Sequence, residues 1–358
     1  MRASVVIRSK DEADRLRLTL ASLARQTMPV EVVVVNDGST DHTPAVLVDA
    51  AREMPLRIVT HATPRGRSGA TNAGARAATG DLLVFIDGDT LAAPDWVARH
   101  AAVHAAGSLR IGRGERFHIR STRFLLDPER GTPKPGEEAR LARLSPEDRA
   151  RLRVTRADVM GDFDALARRA QQGVYPGTGP RRLDALELDA LRHHPDCPVL
   201  WAAACGSNLS VPRDAFLRAG GFNEAIDINE HRELALRLCM AGATMVPADG
   251  ARDYHLTHRT GWRNPLQDTR WEEEFYKAHP LLVVKLLAIF WTCLAPNRVP
   301  REAQIASLPE LEIAARGDNG VDYDAIRRTI GLPELPPVSI AADRAGEARQ
   351  HRLDARTS

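Results

Sequence analysis

Leu82-Leu83-Val84-Phe85-Ile86 is an unbroken apolar run that stops abruptly at Asp87-Gly88-Asp89-Thr90. A short apolar run closed by a turn signal fits a buried strand. Side chains at i and i+2 of an extended segment point to the same side, so the two carboxylates can converge on one hard divalent cation, Mg²⁺ or Mn²⁺, at the strand's carboxyl end. A plain Asp-Gly-Asp turn closing the strand accounts for the same residues without any ligand. The surrounding sequence has to choose between the two.

Upstream, strand and helix patterns alternate. Residues 4–8 read as a buried strand, 11–26 as a helix with Leu16, Leu20 and Leu23 on one face, and 31–36 as a second strand that is nearly all β-branched. Residues 43–54 return to helix, 56–60 form a short third strand, and the Gly- and Ala-rich segment 66–78 leads into the strand that ends at Asp87. This alternation implies an α/β fold with a mostly parallel sheet flanked by helices, whose ligands gather at the carboxyl ends of the strands. Asp37, Asp87 and Asp89 all lie at such ends.

Beyond this α/β half (1–115), the pattern changes. Residues 116–195 are arginine-rich and broken by Pro133, Pro135, Pro146, Pro176 and Pro180, which reads as a helical insertion or cap with no second sheet. A strand-like run at 199–211 and a helix at 230–241 place a second half at 196–262. A helical extension is expected at 263–335 and a disordered tail at 336–358. Residues 281–295 are apolar apart from Lys285 and fall short of the ~20 residues a membrane span needs. They read as a buried helix, with an interfacial helix and peripheral membrane contact as the alternative.

The balance of 49 Lys+Arg against 47 Asp+Glu gives no electrostatic case for a nucleic-acid partner. Four dispersed cysteines without a Cys-x-x-Cys pair, and no apolar leader after Met1, lead to the expectation of free thiols in the cytoplasm, with the inner face of the membrane as a peripheral option.

The ordered set is then Asp11-Glu12 after the first strand, Asn36-Asp37-Gly38-Ser39-Thr40-Asp41 after the second, Asn72-x-Gly74, Asp87-x-Asp89, Gly220-Gly221-Phe222, and Glu230-His231-Arg232-Glu233-Leu234-Ala235-Leu236-Arg237. In order and spacing this resembles a family-2 glycosyltransferase of the GT-A fold over roughly residues 4–260. The resemblance implies a Rossmann-like donor half, an acceptor half, and a metal-dependent, inverting transfer of a hexosyl or N-acetylhexosaminyl group from a nucleoside-diphosphate sugar, most naturally a UDP-sugar. The acceptor is open among a saccharide, a lipid-linked sugar, a peptide and a small metabolite, its site shaped by 116–195 and by the segment after Arg259.

Carried over residue by residue, the resemblance implies that Asp37 reads the ring N–H of the nucleobase, with Asp11, Glu12 and Asn72 on the donor side. Asp87 would touch ribose or sugar and share in the metal site, and Asp89 would hold the Mn²⁺ or Mg²⁺. Arg65 and Arg67 would approach the diphosphate, or else form a solvated basic loop. Gly206-Ser207-Asn208 would wall the donor sugar. Family members commonly carry Glu-Asp-x-Glu-Leu-x-x-Arg, the Asp acting as base; here His231 stands at that position, so His231 is the expected base with Glu230 as the other candidate. In Tyr254-His255-Leu256-Thr257-His258, His255 would complete the metal site, His258 would face the same ion if the segment were helical, and two solvent-facing histidines account for the same residues.

Two rival readings come from other classes. A haloacid-dehalogenase-like phosphatase uses an Asp-x-Asp strand end, with Asp249-x-x-x-Asp253 as a faint echo of its last motif, but that motif normally opens its domain and here three strand–helix units precede it. A catalytically degenerate donor-binding or scaffold protein of the same fold is the alternative that His231 motivates. A dinucleotide dehydrogenase is a weaker reading still, since no Gly-x-Gly-x-x-Gly follows the first strand.

Overall fold

The computed structural model describes residues 1–172, 183–258, 268–295 and 297–337. The first part of the chain runs β1 (Ala3–Ser9), α1 (Ala13–Leu23), β2 (Val30–Asp37), α2 (Thr43–Glu53), β3 (Leu56–His61), α3 (Gly66–Ala77) and β4 (Leu82–Asp87). The Gly- and Ala-rich segment is helical because its small residues let it lie close on the sheet. A Cβ on Gly74 would come to 2.6 Å from Val6 Cγ1 and 2.9 Å from Val35 Cγ2.

After β5 (Thr90–Ala92), α4 (Trp96–Val103) and β6 (Arg110–Ile119) come a hairpin, β7 (Leu125–Asp127) with β8 (Thr132–Pro133), and four short helices. These are α5 (Glu138–Ala142), α6 (Pro146–Leu152), α7 (Arg156–Met160) and α8 (Phe163–Ala167). Then follow β9 (Gln171–Gln172), α9 (Leu183–His193), β10 (Leu209–Pro212), α10 (Arg213–Arg218), α11 (Glu230–Met240) and β11 (Thr244–Leu256). The extension contributes α12 (Arg270–Ala278), α13 (Leu282–Cys293), α14 (Leu308–Ala315) and α15 (Tyr323–Thr329).

The main sheet has the order β3-β2-β1-β4-β10-β6-β11-β5, with β9 added to β6. Its first four strands are parallel, as the alternation requires. The other half is mixed: β10 runs antiparallel to both β4 and β6, β6 and β11 are parallel, and β5 and β9 are antiparallel to their neighbours. Successive strand residues serve opposite faces, so Val6, Val33 and Phe85 enter one core while Val5, Val34 and Ile86 enter the other.

Three expectations are corrected. The boundary drawn at residue 116 falls inside β6, whose strand pattern is hidden by charge; buried Arg113 is neutralised by Asp184 at 2.5 Å and Glu187 at 2.9 Å. The 116–195 stretch is not purely helical, since β9 joins the main sheet and β7–β8 forms a small sheet of its own. Of the run 199–211, Leu200–Ala203 is a 3₁₀ turn and only Leu209–Pro212 is strand.

Helix α13 is buried against the extension and the first core, its Lys285 neutralised by Asp324 at 2.5 Å, so its apolarity is spent inside the protein. Among the described residues, no helix is long and apolar enough to cross a membrane. The segment 259–267 and all but the first two residues of the tail lie outside the described residues.

Candidate active site

The carboxyl ends of β1, β2 and β4 open onto a cavity of about 450 Å³ lined by Arg8, Asp11, Glu12, Asp37, Arg67, Asp87, Asp89 and His258, among others. Asp37 closes β2, and its carboxylate accepts from the backbone N–H of Arg65 at 2.8 Å and of Gly66 at 3.1 Å, and pairs with His61 Nδ1 at 2.7 Å. That ties the loop before α3 to the strand end. Asp11 takes a left-handed conformation with φ 54° and accepts from the Thr40 N–H at 2.7 Å, which fixes the loop after β1 against the loop after β2.

Asp87 and Asp89 part company. Asp87 Oδ1 accepts from Arg8 Nε at 3.0 Å, and Arg116 Nη2 stands 3.9 Å from its other oxygen. Asp89 Oδ2 lies 3.2 Å from His255 Nε2 and 2.6 Å from His258 Nε2. One ligating atom from each of Asp89, His255 and His258 falls within a common 4.8 Å. Asp87 is therefore outside this cluster, contrary to the sequence expectation, because Arg8 has claimed it. His258 is inside it without any helix. His255 lies on β11 opposite Thr90, the strand stops at Leu256, whose N–H donates to the Asp89 carbonyl at 2.9 Å, and His258, two residues past the strand end, reaches the same carboxylate.

The electrostatics follow from these partners. Burial alone would raise the Asp89 carboxyl, yet His255 and then His258 hold it well below the usual carboxylate range. Glu12 is pushed well above that range, chiefly by burial and then by Asp89 and Asp87. Glu12 also explains Gly88, since a Cβ at that position would collide with the Glu12 carboxyl. Behind Asp87, buried Asp253 accepts from Ser207 Oγ at 3.1 Å and is raised to about 6 by burial, partly offset by Arg116.

Several expected site residues do other work. Asn72 is 2% exposed; its amide donates to the Phe222 carbonyl at 2.9 Å and accepts from the Phe222 N–H at 2.8 Å, clipping α3 to the loop at Gly221. Asn208, fully buried with φ 73°, accepts from Trp96 Nε1 at 2.8 Å and donates to the Glu115 and Ala251 carbonyls at 3.0 Å. Both are structural clamps, because each amide is fully engaged inside the protein. Arg65 is exposed while Arg67 faces the cavity. Of the expected sugar wall, Ser207 stays near the site, its Oγ accepting from the Asp87 N–H at 3.4 Å, and Gly206 lies against His231.

Glu230 and His231 open α11, preceded by Asn229 at φ 67°. Glu230 Oε1 accepts from Arg8 Nη1 at 3.0 Å, so one guanidinium joins it to Asp87. Burial would raise the Glu230 carboxyl, but His231, Arg8 and Arg67 keep it far below its ordinary value. Burial pushes the His231 imidazole down to about 4, with Glu230 opposing and Arg232 adding to the shift.

The family model described as "Glycosyl transferase family 2" matches residues 4–151. Over 344 residues the chain is 30% identical to validoxylamine A glucosyltransferase from Streptomyces hygroscopicus subsp. jinggangensis, covering 93% of this chain and 73% of that protein. The chain belongs to family 2 of the glycosyltransferases. The enzyme of the same name from Streptomyces hygroscopicus subsp. limoneus is also 30% identical, with 93% of this chain and 68% of the other covered. In fold, the glycosyltransferase is similar to a crystal structure of S. aureus TarS 1-349, with a TM-score of 0.50 at 14% identity, covering 93% of this chain and 83% of that one. This family membership removes the phosphatase reading of Asp87.

Arg8, Arg116 and Asp253 were not singled out from the sequence as site groups of this glycosyltransferase, and His258 was weighed as a ligand only on a helical segment. Arg8 carried a usable signal, being a cation at the carboxyl end of an otherwise apolar strand. Arg116 and Asp253 carried none, because their partnership is created by the pairing of β6 with β11.

Proposed function

We propose that this glycosyltransferase uses a nucleoside-diphosphate sugar, uridine-based and carrying a hexosyl group, and transfers the sugar with inversion to an acceptor hydroxyl. The observation that carries the reading is the convergence of Asp37, Arg67 and the Asp89–His255–His258 cluster on one cavity at the carboxyl edge of the sheet. The name of the two Streptomyces relatives supports glucosyl as the group moved.

A carboxylate and two imidazoles on one side of a cavity fit a divalent ion, and imidazole favours Mn²⁺ over Mg²⁺, which prefers all-oxygen sites. Asp89, His255 and His258 would hold it, and the ion would supply charge neutralisation for the departing diphosphate. Asp37 has acceptor capacity left for a nucleobase imide. Arg67 and Arg8 present fixed positive charge to the diphosphate side of the cavity. Asp87, held by Arg8, is free of the metal and available to donor hydroxyls. Glu230 and His231 stand across Arg8 from Asp87 and are the candidates for the base that takes the acceptor's proton.

The test is release of nucleoside diphosphate from a panel of UDP-, GDP- and dTDP-sugars with Mn²⁺ or Mg²⁺. Turnover of a UDP-hexose, faster with Mn²⁺, is expected. Turnover confined to GDP-sugars, or undiminished by chelation of all divalent metal, would refute the donor or the metal assignment respectively.

A further inference from the structure

Glu230 and His231, which open α11 beside Arg8, are the two candidates for the group that accepts the acceptor's proton, and the hydrogen bonds around them discriminate. Arg232 Nη1 lies 2.8 Å from His231 Nε2. A guanidinium has only protons to offer, so Nε2 is the acceptor in this contact and, in a neutral ring, Nδ1 carries the hydrogen. Arg232 is not free to turn away. Its Nε donates to the Ala202 carbonyl at 2.7 Å, Nη1 also to Asn229 Oδ1 at 2.8 Å, and Nη2 to Glu187 Oε1 at 2.7 Å. Glu187 is itself pinned by Arg113 at 2.9 Å.

The other face of the imidazole is closed as well. His231 Nδ1 is buried against Gly206, where an added Cβ would come to 2.9 Å, and stands 3.7 Å from Glu230 Oε2. With Nε2 capped by a cation and Nδ1 holding a hydrogen, the ring offers no lone pair to an incoming hydroxyl. Glu230 does. Its Oε1 accepts from Arg8 at 3.0 Å, whereas Oε2 stands 3.7 Å from His231 Nδ1, beyond hydrogen-bond distance.

From this geometry we propose that Glu230 is the general base of the transfer and His231 a positioning residue, whose Nδ1–H points toward Glu230 Oε2 and orients that oxygen. The proposal rests on the glycosyl-transfer reading above. Glu230 Oε2 takes the proton of the acceptor hydroxyl as that oxygen's electron pair forms the bond to the anomeric carbon. The bond from that carbon to the diphosphate oxygen breaks, its electron pair leaving with the nucleoside diphosphate, and Glu230 then returns the proton to water. Arg8, bonded to both Asp87 and Glu230, sets the distance between the donor side and the base. Helix α9, through Glu187 and Arg232, sets the orientation of His231.

His231→Asn separates the two roles, because an asparagine amide can donate from the place of Nδ1 but has no basic nitrogen. Turnover, donor KM and donor affinity by calorimetry are measured for wild type, His231→Asn, Glu230→Gln and Glu230→Asp. The expected result is that His231→Asn keeps kcat within roughly 10-fold of wild type, while Glu230→Gln loses the ~10²–10⁴-fold typical of general-base removal at retained donor affinity. Glu230→Asp preserves the charge beside Arg8 but withdraws the oxygen by one methylene, and should lower kcat without changing donor affinity; it replaces Glu230→Gln if that variant fails to fold. A Glu230→Gln or Glu230→Asp enzyme with wild-type kcat overturns the assignment, and so does a His231→Asn enzyme that binds donor normally but has lost 100-fold or more. If wild type turns over no nucleotide sugar at all, the glycosyl-transfer reading itself falls, and the base assignment with it.

Discussion

Arg8→Met keeps the apolar stem and removes the charge that joins Asp87 to Glu230. Arg8 makes ion pairs of 3.0 Å to each carboxylate, with the Glu230 side chain 4% exposed and that of Asp87 28% exposed. Removing one partner of a buried pair costs about 3–5 kcal/mol because the other charge is left without compensation, and the more hydrated Asp87 contact adds at most about 1 kcal/mol. Against a total stability of about 5–15 kcal/mol this is a large fraction. The sign of its pH dependence follows from the depressed Glu230 carboxyl. A group whose folded pKa is lowered stabilises the fold above its unfolded pKa, near ~4.3, and that contribution drains away as pH falls toward the folded value. The gap between wild type and Arg8→Met in urea melts should therefore be widest near neutrality and narrow below about pH 4.3. Nucleoside diphosphate release should show the complementary effect: with Arg8 no longer opposing burial, the Glu230 carboxyl rises, so the variant acquires an acid limb at higher pH than wild type. A loss below about 1 kcal/mol at neutral pH, together with an unmoved acid limb, would refute the claim that Arg8 holds Glu230 ionised.

His258→Ala should weaken Mn²⁺ binding, measured by calorimetry with UDP present, by roughly 10–100-fold, the size of loss that disturbing even an outer-shell partner produces; unchanged affinity removes His258 from the metal set. Asp37→Asn should cost UDP affinity roughly 1.5–3 kcal/mol, as expected for a hydrogen bond to a charged group, and cost GDP less; an equal loss for both would mean that Asp37 serves only the Arg65–Gly66 loop. Asn208→Ala should lower stability by at least about 3 kcal/mol, since it strands buried partners on Trp96, Glu115 and Ala251, while the folded protein binds donor normally. Weakened donor binding with a wild-type melt would put Asn208 back at the donor.

The parallel half of the fold was legible because its strands are almost wholly apolar and its helices periodic, and the strand-end aspartates were found from that alone. What stayed hidden was made by pairing. Arg113 looks like surface in sequence and is a fully buried cation whose partners arrive from α9. Asn72 and Asn208 sit beside motif glycines and serines and so read as ligand contacts, although asparagine is equally the residue that can satisfy several backbone groups at once in a tight interior. His258 was passed over beside His255 for a similar reason: two residues three apart meet at one carboxylate because a strand ends between them, with no helix needed.

The 116–195 stretch was expected to shape the acceptor site, and its contacts reach both the cavity, through Leu126 and Lys134, and the start of α11, through Glu187. Buried Arg15 on α1 donates to the Leu125 carbonyl at 2.8 Å and the Leu126 carbonyl at 3.0 Å, and also reaches the Leu256 carbonyl at 3.4 Å, next to the end of β11. One guanidinium thus fixes the β7–β8 hairpin to the strand that carries His255. The hairpin in turn lines the cavity with Leu126, and Lys134 follows just after β8. At the other end of the stretch, Glu187 on α9 holds Arg232 beside His231. A single insertion therefore supports the wall of the cavity above Asp89 and the orientation of the residues that open α11. Changes within it should alter donor KM when they fall in the hairpin and kcat when they fall in α9, a separation that a cap serving the acceptor alone would not produce.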